Sequence, residues 1–266
     1  MEYLEREAPE SLRGVVSGLW AVRLDPPFRH ERVFPTPALH LIVNGGGVYR
    51  STDPATDAVT TVTRVFCSGL QTAALRNELP ASILNIGARL HPDAARSLGL
   101  DPGQLAGRVV DLTGDAPELA ALAAALPELP LDAALDRLAP ALETMRIADP
   151  DPAVHHFVAE VLADPKRPIP QLAAEVGIRH IALIDAVRRE IGVTPKAFAD
   201  LVRFDRFVDL TARVAERGWA ALAVEAGFYD QSHSIRVFRR FTGLTPATYV
   251  RRVLADGPQA TRFLAE

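Results

Sequence analysis

One stretch near the carboxyl end carries side chains that can recognise the edges of DNA bases. Residues 230–241 have the sequence DQSHSIRVFRRF, and helical spacing divides them into an apolar and a polar side. The side predicted to face inward consists of Ser234, Val237, Phe238 and Phe241. The outward side consists of Gln231, Ser232, Ile235, Arg236 and Arg239. Gln and Arg can each make paired hydrogen bonds to adenine and guanine, and Ile can contact a thymine methyl group.

Common catalytic and cofactor-binding motifs are missing from the sequence. It contains no GxxxxGK[ST], GxGxxG, HExxH or GxSxG, which are the patterns of phosphate, dinucleotide, zinc and serine-hydrolase sites. Cys67 is the only cysteine, so an internal disulfide and a multi-cysteine metal site are excluded. The seven histidines form no HxH cluster. We therefore expect no enzyme activity, no cofactor and no metal.

The elements that must position the polar stretch repeat at an interval of about 50 residues. Residues 172–177 (LAAEVG) match 222–227 (LAVEAG), and residues 192–195 (GVTP) match 243–246 (GLTP). Each copy predicts a short alanine-rich helix, a glycine turn and a second helix of about a dozen residues. This arrangement is a helix-turn-helix, whose second helix can enter the major groove of DNA.

Charge is distributed unevenly along the chain. Residues 166–252 contain 15 Lys/Arg and 9 Asp/Glu, a net charge of +6, whereas residues 1–165 contain 13 and 22, a net charge of -9. A basic segment joined to an acidic one is typical of a polyanion-binding module attached to a domain that does not bind the polyanion. The sequence has no apolar run long enough to span a membrane and begins without a secretory leader, so we expect a cytoplasmic protein.

The segment before the repeat has the pattern of a β-rich domain. Between about residues 15 and 110, short apolar runs alternate with turn-forming residues, which predicts a small barrel or sandwich. The turns at residues 44–47 (NGGG) and 51–57 (STDPATD) are expected to join neighbouring antiparallel strands. Residues 115–148 are rich in Ala and Leu and predict short helices, and the sequence DPDP at 149–152 marks a boundary.

The predicted fold class is α+β, with an amino-terminal β-rich barrel or sandwich followed by an all-α domain that contains two helix-turn-helix motifs. The 266 residues, 48% of them apolar, can form one large or two medium domains. We expect a β-rich domain over 1–114, a helical linker over 115–150, the double helix-turn-helix over 151–255 and a tail over 256–266.

The sequence GFYDQSHSIRVFRRFTGLTPATYVRR resembles the AraC/XylS-type transcription regulators, whose second helix-turn-helix typically has the pattern GFxDQSHFxRxFRRxxGxTPxxYR. The resemblance covers about residues 165–252 and implies one linking helix, from Pro195 to about Ala215, that holds two recognition helices in successive major grooves. Residues 35–44 (PTPALHLIVN), 68–69, 87–92 (GARLHP) and 108–112 (RVVDL) resemble the sensor-like domain of one subgroup of these regulators.

The exposed sides of the two predicted recognition helices and the arginines near them are the candidates for DNA contacts. Base contacts are expected from Gln231, Ser232, His233, Ile235 and Arg236 in the second recognition helix and from His180, Ile184 and Asp185 in the first. Phosphate contacts are expected from Arg179, Arg188, Arg189, Arg239, Arg240, Arg251 and Arg252. Asp185 aligns with Arg236, and a carboxylate is repelled by phosphates although it can accept a hydrogen bond from cytosine. We therefore expect the second helix-turn-helix to dominate recognition.

A ligand in the amino-terminal domain would meet polar groups next to the apolar strand runs. The candidates are His40, Asn44, Arg64 and Arg89. The expected partners are double-stranded DNA, a small-molecule effector, RNA polymerase if the regulator is an activator, and a second copy of the chain in a homodimer, with no membrane involved.

Two departures from the family pattern keep an alternative open. Ser234 stands where the family usually has a large apolar residue, which removes buried surface worth about 1.5 to 3 kcal/mol unless a neighbour fills the space. Together with Asp185, it favours as the alternative a non-catalytic sensor or protein-interaction module with weakened DNA binding. An enzyme built on the β-rich domain, with His40 or Arg89 in its site, is the third hypothesis.

Overall fold

Short strands with alternating inward and outward residues build the amino-terminal half of the chain. The computed structural model describes residues 1–53, 56–256 and 263–265, and within them the strands form two antiparallel sheets, numbered here in chain order. Sheet A has the spatial order β1 (Glu2–Arg6), β2 (Val16–Leu24), β9 (Ile83–Leu90), β4 (Leu39–Asn44), β7 (Val65–Ser68) and β10 (Val109–Asp111). Sheet B has the order β11 (Phe263–Ala265), β3 (His30–Val33), β8 (Leu75–Glu78), β5 (Tyr49–Thr52) and β6 (Val59–Val62).

The two sheets pack face to face as a sandwich. The apolar part of its interior is formed by Ile42, Tyr49, Val62, Phe66, Leu79 and Ile83. On the opposite face of sheet A, the alternate residues Leu41 and Val43 belong to a second and larger core that also contains helices. Because side chains alternate along each strand, β4 contributes to both cores.

The helical elements follow the sandwich along the chain. Their bounds are α1 (Pro102–Leu105), α2 (Pro117–Ala125), α3 (Leu131–Met145), α4 (Pro152–Ala163), α5 (Ile169–Glu175), α6 (His180–Ile191), α7 (Pro195–Leu210), α8 (Val214–Glu225), α9 (Gln231–Thr242) and α10 (Pro246–Asp256). Gly218 interrupts α8 with φ 71° and ψ 159°, so the segment consists of two helical pieces joined at a kink. No helix of the described residues is long and apolar enough to cross a membrane.

This architecture confirms the predicted α+β class, and it corrects several local expectations. Residues 44–47 do not close a hairpin: β4 pairs with β7 and β9 in sheet A, whereas β5 pairs with β6 and β8 in sheet B, so the glycines carry the chain between sheets. The second turn does join paired strands, β5 and β6, although residues 54 and 55 lie outside the described residues. The linking helix α7 ends at Leu210, earlier than expected, because a 3-10 turn over Thr211–Arg213 follows it.

The segments named linker and tail in the sequence both pack on the sandwich. Helices α2 and α3 cover the outer face of sheet A through Leu119, Leu122, Leu135 and Leu138, which are buried in the larger core. In the tail, the short strand β11 pairs with β3 and buries Leu264. The division of the chain into domains remains a proposal, and these contacts favour assigning residues 115–150 to the amino-terminal domain.

Both recognition helices contact the amino-terminal domain at their carboxyl ends. At the end of α6, Arg96 pairs with Glu190 at 3.1 Å, and a Cβ atom on Gly192 would lie 2.7 Å from the carbonyl oxygen of Pro102. At the end of α9, Arg32 of β3 donates a hydrogen bond to the carbonyl of Thr242 at 3.1 Å. Since the contacts involve helix termini, they limit how each helix can tilt relative to the sandwich.

Substitution of Gly192 tests this docking, and Gly177 supplies a matched control. Both glycines adopt positive φ, 77° and 70°, but only Gly192 is in contact with the other domain. We expect Gly177→Ala to lower the free energy of unfolding by about 1 kcal/mol, the cost of placing alanine at positive φ. We expect Gly192→Ala to cost clearly more, because its methyl group would overlap the backbone of α1. Urea unfolding of the two variants measures the difference, and equal losses would show that the close approach at Gly192 is unimportant.

Candidate nucleic-acid interface

The two helix-turn-helix copies share their turn geometry hydrogen bond by hydrogen bond. The amide of Ile178 donates to Ala173, and fifty residues later the amide of Phe228 donates to Ala223. The glycines in the turns, Gly177 and Gly227, both have positive φ, which glycine adopts without steric cost. The internal sequence repeat therefore corresponds to a repeated three-dimensional unit.

An equivalent glutamate in each copy of the repeat pairs with an arginine. Arg167 pairs with Glu160 and Glu175 and so connects α4 with α5 in the first copy. In the second copy, Arg213 pairs with Glu225 at 2.9 Å. Glu175 and Glu225 occupy equivalent positions, so each copy uses an Arg–Glu pair to hold its first helix.

Helix α9 has one buried and one exposed side, as its periodicity predicts. Ser234, Val237, Phe238 and Phe241 are buried, and Asp230 caps the helix by accepting a hydrogen bond from the amide of His233 at 2.6 Å. Ser234 is fully buried, and its hydroxyl donates to the carbonyl of Gln231 at 2.7 Å. The polar atom at this unusual position is thus satisfied within the helix.

Four of the five predicted base-contacting residues of α9 lie on its outer side. Gln231, Ser232 and Arg236 are exposed, and Ile235 is partly exposed. His233 points inward instead: its ring packs edge-on against Phe228 at 5.3 Å. We therefore leave His233 out of the proposed base-contacting set and treat it as a packing residue.

A buried carboxylate, Asp200, connects the linking helix with α9. Its oxygens accept a hydrogen bond from Arg203 at 3.0 Å and one from Arg240 at 3.2 Å, and His233 Nε2 lies 3.8 Å away. The Arg240 guanidinium also stacks 4.5 Å from the centre of the Phe241 ring. Arg240 is predicted from sequence to contact phosphate, but its guanidinium already donates a hydrogen bond to Asp200 within the protein. Sequence reasoning missed Asp200, since nothing in its local pattern indicates burial beside α9.

The first recognition helix presents a less basic surface. His180, Asp185, Arg179 and Arg188 are exposed, and Ile184 is partly exposed. Arg189 donates to Glu190 at 2.8 Å, so its charge is partly neutralised within the protein. The exposed carboxylate of Asp185 stands where α9 carries Arg236, which leaves the two helices with different chemistry on their outer sides.

Two exposed residues with large apolar side chains adjoin the predicted base-contacting residues. Tyr229, directly before the Asp230 cap of α9, is 91% exposed, and Ile181 at the start of α6 is 63% exposed. Each lies at the amino end of a recognition helix, the end that contacts base edges in helix-turn-helix proteins. Apolar groups at these points can contact thymine methyl groups or sugars. Tyr229 was visible in the sequence, but its exposure depends on the turn geometry.

The structure places the four candidate ligand residues in three different settings. His40 and Arg89 are register neighbours on the sandwich side of sheet A, where His40 Nε2 lies 3.0 Å from Thr36 Oγ1 and Arg89 pairs with Glu5 at 3.0 Å. Asn44 bonds backbone groups of its own turn, and Arg64 is exposed between strands. The four side chains therefore do not form one site.

Desolvation shifts the pKa values of His40 and Cys67. Desolvation, with a smaller contribution from the Arg89 charge, lowers the pKa of His40 from 6.5 to about 4. Desolvation raises the pKa of the Cys67 thiol to about 12. His40 is thus neutral and Cys67 remains a thiol near neutral pH, so neither is prepared for nucleophilic or general-base chemistry.

Two known protein families match the chain, one in each half. Residues 160–252 match a family described as "Helix-turn-helix domain", and residues 5–111 match one described as "Domain of unknown function (DUF6597)". The match over residues 160–252 confirms the helix-turn-helix domain that the internal repeat predicts. No curated protein matches the sequence.

The arrangement of the whole chain is similar to that of ToxT from Vibrio cholerae. An apo form of a ToxT variant from strain SCE256 has a TM-score of 0.51 at 14% identity, over 92% of this chain and 99% of that chain. ToxT from strain O395 has a TM-score of 0.50 at 13% identity, over 94% and 97%. A structure of wild-type ToxT with an unsaturated fatty acid bound has a TM-score of 0.49 at 13% identity, over 93% and 94%. At these identities the first two comparisons show a common fold, from the sandwich to the helix-turn-helix domain.

Removing the Asp200 charge tests its contribution to the position of α9. We expect Asp200→Asn to lower the free energy of unfolding by about 3 kcal/mol, because it leaves the half-buried Arg203 without its ionic partner. Glu216→Gln, which neutralises an exposed carboxylate on α8, should change stability by less than about 0.5 kcal/mol. Urea titration compares them, and a loss for Asp200→Asn no larger than for the control would contradict a clamping role.

The depressed pKa of His40 makes stability depend on pH. The unfolded chain takes up a proton near pH 6.5, whereas the folded chain does so only near pH 4, so protonation favours unfolding between these values. The free energy of unfolding should therefore fall as the pH is lowered through this window, with a contribution of up to about 1.4 kcal/mol per pH unit. Because carboxylates also titrate there, the measurement is the difference between wild type and His40→Asn, which should have the shallower slope. Identical slopes would contradict the assignment.

Proposed function

We propose that this protein is a cytoplasmic, sequence-specific DNA-binding transcription regulator whose activity is modulated by a ligand or partner at the amino-terminal domain. The observation that carries the proposal is the repeated helix-turn-helix with an exposed polar side on each recognition helix. The regulator acts by binding alone and performs no covalent chemistry. Double-stranded DNA is its main partner, RNA polymerase is a further partner if it activates, and a homodimer is the proposed assembly.

Helix α9 supplies most of the sequence recognition in this proposal. Gln231, Ser232, Ile235 and Arg236 face outward along one side, next to the exposed ring of Tyr229. Arg239 on the same helix and the exposed Arg251 and Arg252 of α10 provide phosphate contacts, with a smaller part for Arg240 because Asp200 holds it. Helix α6 contributes mainly phosphate contacts through Arg179 and Arg188, since Asp185 weakens its attraction for DNA.

The domain contacts supply the route for modulation. Arg96 holds the end of α6, Arg32 holds the end of α9, and the Phe34 ring lies 5.6 Å from the Tyr249 ring in α10. A ligand that shifts the sandwich relative to these three points changes the relative position of α6 and α9. Since two recognition helices bind one DNA site only at a fixed separation and angle, such a shift alters affinity.

Arg236 and Asp185 occupy equivalent positions, and their alanine variants test the ranking of the two helices. After selection of preferred sites from a random duplex pool with the full chain, fluorescence anisotropy at several salt concentrations measures binding. We expect Arg236→Ala to weaken binding to the selected site by about 5- to 150-fold and to relax base preference, because paired contacts to guanine are lost. Asp185→Ala should leave the preference unchanged and not weaken binding.

Two controls complete the test. Arg239→Ala should weaken binding to all duplexes alike and reduce the salt slope by about 1, as expected for one lost phosphate contact. Arg137→Ala, which removes an exposed arginine of α3 on the amino-terminal domain, should have no effect. If the chain selects no sequence and its binding does not depend on salt, the alternative of a sensor with weakened DNA binding replaces the proposal.

A further inference from the structure

A row of polar side chains crosses the interior of the sandwich on sheet B. Glu31 of β3 is the register partner of Asn77 in β8, and Asn77 is the partner of Ser51 in β5. Asn77 donates to Glu31 at 3.0 Å, and Ser51 is two residues from the core residue Tyr49, so all three side chains face inward. From sheet A, Asn85 reaches across the sandwich and donates to the Tyr49 hydroxyl at 2.9 Å. We call Glu31, Ser51, Asn77 and Asn85 the polar row.

Several buried atoms of this row have no hydrogen-bond partner among the residues that the structure describes. They are Ser51 Oγ, Asn77 Oδ1 and Asn85 Oδ1. Ser51 is only 5% exposed and Asn85 only 7%, so bulk solvent does not satisfy these atoms. A buried polar atom without a partner destabilises the fold. Three such atoms, contributed by three strands to one interior region, indicate a place for a bound molecule.

The chemistry of the row selects the kind of molecule. Two of the three atoms are amide oxygens, which only accept hydrogen bonds, and beside them lies the Glu31 carboxyl. Desolvation raises the pKa of Glu31, and among the described residues its carboxyl group has no cationic side chain within ion-pair distance. Trp20, Phe28 and Phe66 add aromatic surface to the same interior. The site thus offers acceptors, a carboxyl group without a cationic partner and aromatic rings, which suit a hydrogen-bond-donating cation.

We infer that the polar row binds the ammonium group of a small organic amine, with Glu31 as its ionic partner and Asn77, Asn85 and Ser51 as hydrogen-bond partners. Glu31 and Asn77 remain partly exposed, so the row can be reached from solvent. None of the four was among the residues predicted from sequence. The assignment concerns binding in the sandwich and does not require DNA.

Strand β3 connects this site with the second recognition helix. Glu31 faces the interior, and the next residue, Arg32, points to the other side and donates to the Thr242 carbonyl at the end of α9. A bound amine that pairs with Glu31 displaces β3, and Arg32 transmits the displacement to α9. This coupling rests on the proposed DNA-binding function, whereas the amine site does not.

The first experiment measures the Tm of the full chain, without DNA, at increasing concentrations of propylammonium chloride. Propanol has a shape similar to that of the probe but no charge, and butyrate carries the opposite charge. Tetramethylammonium has the positive charge but no N–H donor, and oleate tests whether a fatty acid binds. We expect a concentration-dependent rise in Tm with propylammonium alone. No rise, or an equal rise with any comparator, would overturn the inference.

Three variants locate the site. Glu31→Gln keeps the side-chain shape and should weaken the apparent affinity for propylammonium by about ten- to hundredfold, since it removes the charged acceptor. Ser51→Ala should weaken the response without lowering the Tm of the free protein, because Ser51 Oγ has no partner to lose. Glu78→Gln is the control, because Glu78 follows Asn77 on the same strand but pairs with Arg50 on the outside. An undiminished response in Glu31→Gln would place the amine elsewhere and overturn the inference.

A second measurement separates binding from its effect on DNA. Propylammonium should change the affinity of the wild-type chain for its selected duplex, and Arg32→Gln should abolish that change while it keeps the rise in Tm. If the wild-type chain binds no duplex yet shows the Tm response, the amine site stands and the proposed function fails. If it binds DNA but gives no Tm response, the proposed function stands and the amine site is wrong.

Discussion

The attachment of both recognition helices at their carboxyl ends is the constraint on which the rest of the structure depends. Each helix ends at a glycine with positive φ, Gly192 or Gly243, and each final turn lies against the amino-terminal domain. A helix held at its carboxyl end leaves its amino end free, and that end carries the exposed polar and apolar side chains of both copies. The sandwich therefore determines the relative position of two surfaces that it does not cover.

The two copies share a backbone but differ in how their charges are used. In the second copy Asp200 lies beneath α9, which leaves Arg236 and Arg239 free on the outside while Arg240 is partly engaged. In the first copy Glu190 draws Arg189 and Arg96 toward the domain contact, and Asp185 adds a negative charge outside. The same fold thus leaves α9 with a basic outer side, whereas α6 has a mixed outer side and carries two of its ion pairs near the contact with the sandwich.

Local periodicity was sufficient to predict the buried side of α9, the helix-turn-helix repeat and the β-rich half, because each depends on residues close together in sequence. The features that periodicity does not predict depend on pairing between strands that are far apart in the sequence. The glycines at 45–47 have the pattern of a hairpin, yet they connect different sheets, and residues 263–265 add a strand beside β3 from the far end of the chain. His233 matches the base-contacting pattern, but its ring packs edge-on against Phe228 of the preceding turn. Asn44 is a candidate ligand residue by its polarity and position, but its side chain donates a hydrogen bond to the backbone of its own turn.

The polar groups of the sandwich interior are unfavourable for stability where they lie. An apolar layer of similar shape would remove the unpartnered atoms of Ser51, Asn77 and Asn85 and the proton linkage of His40. Elsewhere the same interior is apolar, so the fold itself does not require polar residues at these positions. The row ends at Glu31 on β3. On the opposite face of the same strand, Arg32 donates a hydrogen bond to the end of α9. Glu31 of the polar row and Arg32, which attaches the recognition helix, are therefore adjacent on one strand, and a molecule that binds Glu31 acts on the strand that holds α9.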